Sequence, residues 1–370
     1  MSGRNGGDTE REGRLDALCG ALAARGASAV VLDRRHDLYY FTGYTGSDAL
    51  AVVSTRTRRG WLATDLRYTE EAEKTAPGLE TVVWKKNFGG FVGQLLRKNR
   101  FRHIAYTPAS LSAAFYLAML EEAGGKVKWT DADDEILRLR SVKSPSEIRA
   151  VRKALACAES AFLAARKRWK IGMTETEVRN DLEWEMRRRG AEDTAFETIV
   201  AAGPNASLPH AHAGTRKIQG GKMLLIDFGA SLGCYNSDLT RTLWAGEIPG
   251  RWRERYREVL AAQQAGIEAI GPGVSGKTVD DAARKVFVRA GLDARFTHGL
   301  GHGVGLAVHE EPRLSRAYDR PLEPGNVVTV EPGVYFPGSG GIRIEDMVLV
   351  EKKGARVLSS LPKAIEDMVL

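Results

Sequence analysis

Apolar residues along this chain change their spacing repeatedly, and each change marks an element. Leu15, Leu18, Leu22 and Ala23 fall on one helical stripe, which predicts a helix over 12–25. Ala29-Val30-Val31-Leu32 is a short continuous run, expected to be a buried strand. Further apolar runs follow at 37–43, 49–53 and 60–65. Residues 70–74 open a helix, 82–84 read as a strand, 91–98 as a helix, 103–106 as a strand and 110–123 as a helix. Strands alternating with helices predict an α/β domain with a mixed sheet.

The pattern restarts near 137–144. Ser144 is placed to cap a helix, Pro145 suits its first position, and Glu147 completes a capping box. Ile148, Val151, Leu155, Ala158, Phe162 and Trp169 then recur at helical spacing, a stripe expected to be core. Thr174-Glu175-Thr176-Glu177 caps a second helix through Arg189, stopped by Gly190. A third helix is expected over 251–270 and a fourth over 279–290, stopped by Gly291. The second part thus reads as helix–helix–strands twice over, an order compatible with a duplicated αβ unit. The halves share no evident sequence pattern.

At 370 residues the length suits two domains. We divide the chain into a polar, glycine-rich and disordered N-terminus (1–11), a smaller α/β domain (12–137) and a C-terminal domain (138–370). The N-terminus lacks the apolar core of a signal peptide, and no apolar run approaches the ~20 residues that span a bilayer. Three widely spaced cysteines, Cys19, Cys157 and Cys234, argue for a reducing, cytoplasmic setting. The net charge is +7. Its basic residues are scattered in small groups without interleaved aromatics, so neither nucleic acid nor a membrane is expected as a partner.

The chemistry concentrates between 224 and 346. Leu224-Leu225-Ile226-Asp227-Phe228-Gly229 delivers a carboxylate at the end of an apolar run, and Asp238 follows in Asn236-Ser237-Asp238-Leu239-Thr240-Arg241. Then come His298-Gly299-Leu300-Gly301-His302, Val308-His309-Glu310, Glu331-Pro332-Gly333 and Arg343-Ile344-Glu345-Asp346. A strand-end carboxylate followed by glycine is poorly placed for packing and well placed to face a cleft. Clustered carboxylates repel, and a divalent cation relieves the repulsion. Oxygen-rich donors with one imidazole suit manganese, cobalt, iron or zinc.

These motifs resemble the metallopeptidase family with the pita-bread fold, which includes methionine aminopeptidase, aminopeptidase P and prolidase. The resemblance implies an α+β architecture: a C-terminal pita-bread, creatinase/aminopeptidase-like catalytic domain behind a creatinase-like N-terminal α/β domain. It places five ligands of two divalent metal ions, manganese first among them, on Asp227, Asp238, His302, Glu331 and Glu345, with Asp238 and Glu345 bridging. It gives His210 the developing oxyanion, His298 the pocket wall and His309 a proton shuttle. His212 is a bystander, and Arg343 buttresses the carboxylates. Phe41-Thr42-Gly43-Tyr44-Thr45-Gly46-Ser47 and Asp65-Leu66-Arg67-Tyr68 look more like aminopeptidase P. The expected activity is therefore release of the N-terminal residue from peptides with proline second, as an Xaa-Pro aminopeptidase. One alternative is a prolidase, for which Arg313 would hold the dipeptide carboxylate. Another is a non-catalytic peptide-binding module. By the same resemblance, a homodimer or higher homo-oligomer acting on peptides is expected.

Overall fold

The computed structural model describes residues 6–370. The chain divides after Arg140 into two compact units, a few residues beyond the junction expected at 137. The first unit contains α1 (Gly6–Ala24), β1 (Ala29–Leu32), α2 (Arg35–Thr42), β2 (Ala49–Ser54), β3 (Gly60–Thr64) and α3 (Thr69–Thr75). It continues with β4 (Glu80–Val83), α4 (Phe88–Lys98), β5 (His103–Tyr106), α5 (Ala113–Ala123), β6 (Lys128–Asp131) and α6 (Asp133–Ser141). Every residue of β1, β2 and β3 is buried, as continuous apolar runs require of strands covered on both faces. The sheet order is β4-β3-β2-β1-β5-β6, with β1–β2 and β2–β3 antiparallel and the other pairs parallel.

The disorder expected over 1–11 is corrected from Gly6 onward, where α1 begins; residues 1–5 lie outside the described residues. The reason is local: Arg14 reaches back to Glu10 at 2.7 Å and lies over the Tyr40 ring at 4.2 Å, so the early turns are anchored. The run at 37–43 is a helix, α2, closed by Gly43 in the left-handed region at φ 85°.

The second unit opens with α7 (Pro145–Arg166) and α8 (Glu175–Arg188), each begun by the capping box that its sequence predicts. Next come β7 (Asp193–Thr194), β8 (Ile199–Ala202), β9 (Met223–Phe228), β10 (Ala230–Leu232), β11 (Tyr235–Asn236) and β12 (Leu239–Trp244). Then follow α9 (Gly250–Ala269), α10 (Gly276–Arg289), β13 (Gly301–Gly303), β14 (Glu310–Leu314), β15 (Val327–Val330), β16 (Gly333–Phe336), β17 (Gly340–Arg343), β18 (Asp346–Val350) and β19 (Ala355–Val357).

The unit is duplicated, and its backbone hydrogen bonds prove the equivalence. In the first half Gly172 N donates to Ile218 O, Ile218 N to Met173 O, Glu175 N to Arg216 O, and Thr176 N to Gly214 O. In the second, Gly273 N donates to Leu322 O, Leu322 N to Val274 O, Gly276 N to Arg320 O, and Lys277 N to Tyr318 O. Gly172 and Gly273 both take positive φ, Thr174 and Ser275 both cap, and Val178 and Val279 are both fully buried. Each half then lays down an antiparallel set, β8-β9-β12 and β13-β15-β18.

Candidate active site

The duplication puts acids in matching places. Asp227 lies near the end of β9, and Glu331 directly follows its counterpart β15. Asp238 directly precedes β12, and Glu345 directly precedes its counterpart β18. His302 comes from β13, at a bulge between His302 and Gly303. Two glycines allow the convergence. A Cβ on Gly229 would sit 1.9 Å from Ser237 O, so only glycine lets the chain double back and return Asp238. A Cβ on Gly301 would sit 2.0 Å from Thr329 O, closing off the approach that sets His302 beside Glu331.

All five expected ligands meet. Donor atoms of Asp238, His302 and Glu345 lie within 4.8 Å of one another. His302 Nε2 is 3.2 Å from Glu331 Oε1 and 3.6 Å from Asp238 Oδ2. His302 Nδ1 lies 3.1 Å from Gly303 O; donating there leaves Nε2 as the free lone pair a metal would take. Asp227 Oδ2 accepts from Arg343 Nη2 at 2.5 Å, and Glu345 Oε2 accepts from Thr240 Oγ1 at 2.7 Å. The other oxygens, Asp227 Oδ1 and Glu345 Oε1, are buried and have no hydrogen-bond partner among the described residues.

Electrostatics say the same. Burial, then the charges of Glu345, Asp227 and Glu331, push the Asp238 carboxyl well above its ordinary range. Glu345 is raised likewise by burial and by Glu331 and Asp227, and Asp227 is raised by burial against the pull of Arg343. At Glu331 burial acts upward too, but the hydrogen bond and charge of His302, with His298 and Arg343, bring it down to about 2. Three buried carboxylates and the half-buried Glu331 share one guanidinium, Arg343, and two of the buried oxygens are left bare. That donor set suits divalent cations.

A cleft of about 520 Å³ opens over these groups, lined also by His210, His298, His309 and Arg313. The His309 ring lies 4.2 Å from that of His302; desolvation, then His302, lower its pKa. His298 Nε2 pairs with Tyr335 OH at 3.0 Å, and burial lowers its pKa. His212 is 81% exposed at the rim and meets Glu197 at 3.1 Å. Tyr335 and Thr240 are the site residues that motif reading missed. Tyr335 OH accepts from Arg343 Nη1 at 2.9 Å, and Thr240, opposite Asp227 in the β9–β12 ladder, ties both halves through Glu345. The available signal was alternation: Thr240 is two residues past Asp238, and Tyr335 two past Gly333.

The fold and site define a pita-bread hydrolase of the metallopeptidase class. The description "Metallopeptidase family M24" matches residues 149–352, and "Creatinase/Prolidase N-terminal domain" matches 14–142. The chain belongs to metallopeptidase family M24. It is 34% identical over 352 residues to an Xaa-Pro dipeptidase of Pyrococcus furiosus, covering 95% of this chain and 99% of that one. Among solved structures it is similar to an Xaa-Pro dipeptidase from Bacillus anthracis (33% identity, 97% of this chain and 100% of that one, TM-score 0.91). It is also similar to an X-Pro aminopeptidase from Thermotoga maritima (34% identity, 96% and 99%, TM-score 0.88).

Proposed function

We propose that this chain is a dinuclear, manganese-using peptidase that cuts the Xaa–Pro bond of dipeptides. The observation that carries the choice of length is Arg313. It lines the cleft on β14, paired in register with His302, and its side chain makes no ion pair or hydrogen bond among the described residues. A guanidinium left open beside an acidic centre is a receptor for a carboxylate. In a dipeptide that carboxylate lies one residue past the scissile bond. Relatives named Xaa-Pro dipeptidase support the same reading.

When bound, the cation pair activates a water and polarises the scissile carbonyl. The chain's own residues do the rest. Glu331, ionised at neutral pH, accepts the water's proton. His210 donates to the carbonyl oxygen as negative charge grows there. His309, neutral at pH 7, takes a proton in one step and delivers it to the proline nitrogen in another. The free amine is held near Asp227, and the free carboxylate at Arg313.

The Xaa-Pro aminopeptidase reading reached from the sequence has its own support. His210 and His212 are exposed at the rim, which leaves room for a longer peptide, and the likeness to the Thermotoga maritima protein agrees. Turnover of Ala-Pro, Ala-Pro-Ala and Ala-Pro-Ala-Ala with manganese, before and after chelation, separates the two. The dipeptide reading expects kcat/KM on Ala-Pro to exceed the others by about tenfold or more, the worth of one charged hydrogen bond. Equal or better rates on the longer peptides favour the aminopeptidase, and no turnover of any peptide with metal present ends both.

A further inference from the structure

The duplication makes one difference between the halves conspicuous. At the first position of α8 stands Glu175; in the same register of α10 stands Gly276. A Cβ on Gly276 would lie 2.0 Å from Arg313 O, so backbone fills that room in the second half. The helix start therefore needs no acid. Yet Glu175 is fully buried, and a buried carboxylate is costly unless hydrogen bonds offset its lost hydration.

Those hydrogen bonds all go to one loop. Glu175 Oε1 accepts from Ala202 N at 2.7 Å and from Asn205 Nδ2 at 2.8 Å. Glu175 Oε2 accepts from Asn205 Nδ2 at 3.1 Å and from Gly214 N at 3.0 Å. One carboxylate thus staples both ends of the segment 202–214, whose middle carries His210 at the cleft. On its far side the segment is tied through Pro209 O, which accepts from Arg343 Nη1 at 3.3 Å. The N-terminus of α8 adds a favourable field for the charge.

We infer that Glu175 is a positioning residue for the reaction: it holds the His210 loop in place for the scissile carbonyl, with no contact to metal or substrate. This rests on the reading of His210 as the carbonyl's partner. Only a carboxylate can accept from donors at both ends of the loop; in Glu175→Gln one oxygen becomes an amide N–H₂ facing an N–H, and one end is released.

The test compares Glu175→Gln, His210→Ala and the double variant, each with manganese. Glu175→Gln is expected to lower kcat about 10- to 100-fold, somewhat less than full removal of one oxyanion donor. Manganese affinity by calorimetry should stay within about twofold, because no ligand moves. In the His210→Ala background, Glu175→Gln should add less than about threefold, since both act through one contact. Amide hydrogen exchange of 202–214 should quicken in Glu175→Gln with metal bound. The inference is overturned by undiminished kcat, by losses that multiply in the double variant, by a fall in manganese affinity that tracks kcat, or by unchanged exchange. If His210→Ala alone keeps full kcat, the functional reading of His210 fails, while exchange still decides whether Glu175 holds the loop. Should Glu175→Gln not fold, Asn205→Ala, which removes one donor to the carboxylate, takes its place in the same comparisons.

Discussion

Single side chains divide the work by what they are denied. Asp227 and Glu345 each have one oxygen satisfied, by Arg343 and Thr240, and one left bare. The satisfied oxygen fixes the rotamer; the bare one is free to serve a cation. Arg313 is the converse, a cation in the cleft with nothing to bind among the described residues. At this scale the prediction is specific. Arg313→Ala should raise KM for Ala-Pro about 10- to 100-fold, the loss of a charged hydrogen bond of about 1.5–3 kcal/mol, with kcat little changed. Steady-state kinetics on Ala-Pro check it; a fall in kcat at constant KM would place Arg313 elsewhere in the reaction. The candidate ligands were legible through the family resemblance; His302 and Glu331 also have a glycine or proline beside them, whereas Asp238 and Glu345 do not. Tyr335, Thr240 and Glu175 were not legible, because nothing local distinguishes them from ordinary strand or helix-start residues.

Elements are held to the site by buried ionic joints. Arg241 on β12 is fully buried, donates through Nη2 to Asp346 Oδ1 at 2.8 Å and through Nη1 to Thr240 O, and also reaches Glu345 O. It further donates to Leu361 O and Pro362 O, while Gln263 Nε2 reaches Asp346 Oδ2. One guanidinium therefore sets β12 against β18, and with them Asp238 against Glu345. Arg241→Met leaves several carbonyls unsatisfied and takes from Asp346 one of its two cationic partners, Lys363 remaining. It should lower unfolding free energy by about 3 kcal/mol or more and weaken manganese binding. Urea midpoints and calorimetry measure the two; a variant as stable as the parent would mean the joint is redundant. Helix boundaries were largely readable, since capping boxes act within a few residues. Strand β6 and helix α6 escaped notice because one is short and half exposed and the other is dominated by charge.

At the scale of the molecule, among the described residues no helix is long and apolar enough to cross a membrane. Stability there is linked to the metal centre. Asp238 and Glu345 have folded-state pKa values raised well above those of an unfolded chain, near 4. Their protonated forms stabilise the metal-free fold fully below about pH 4, and that contribution is lost as pH rises toward the raised values. Glu331, depressed to about 2, acts oppositely: its contribution is present above about pH 4 and is lost as pH falls toward 2. Above about pH 4 the Tm of chelated protein should therefore fall as pH rises toward the raised values of Asp238 and Glu345. Manganese at about 100 times its Kd should restore about 2.7 kcal/mol, or roughly 3–4 °C, most visibly at the high end. Calorimetric scans with and without manganese test this; a metal-independent Tm across the range would contradict it.

Local chemistry is what a sequence can settle alone: caps, stops, apolar period, and carboxylates and histidines set beside glycines. Those features account for most of the element order and for a boundary within a few residues, while the five candidate ligands rest on the family resemblance. The element order was already compatible with a duplicated αβ unit, but only folding could reveal the residue-by-residue repeat. Its signature is a shared set of backbone hydrogen bonds around Gly172 and Gly273, and backbone atoms carry no side-chain identity for a sequence to display. Only folding, too, could set Thr240 against Glu345, Tyr335 against His298, and Glu175 beneath the His210 loop. Each of those pairings spans distant parts of the chain, and its energy exists only once strands from both halves have closed around the same buried charge.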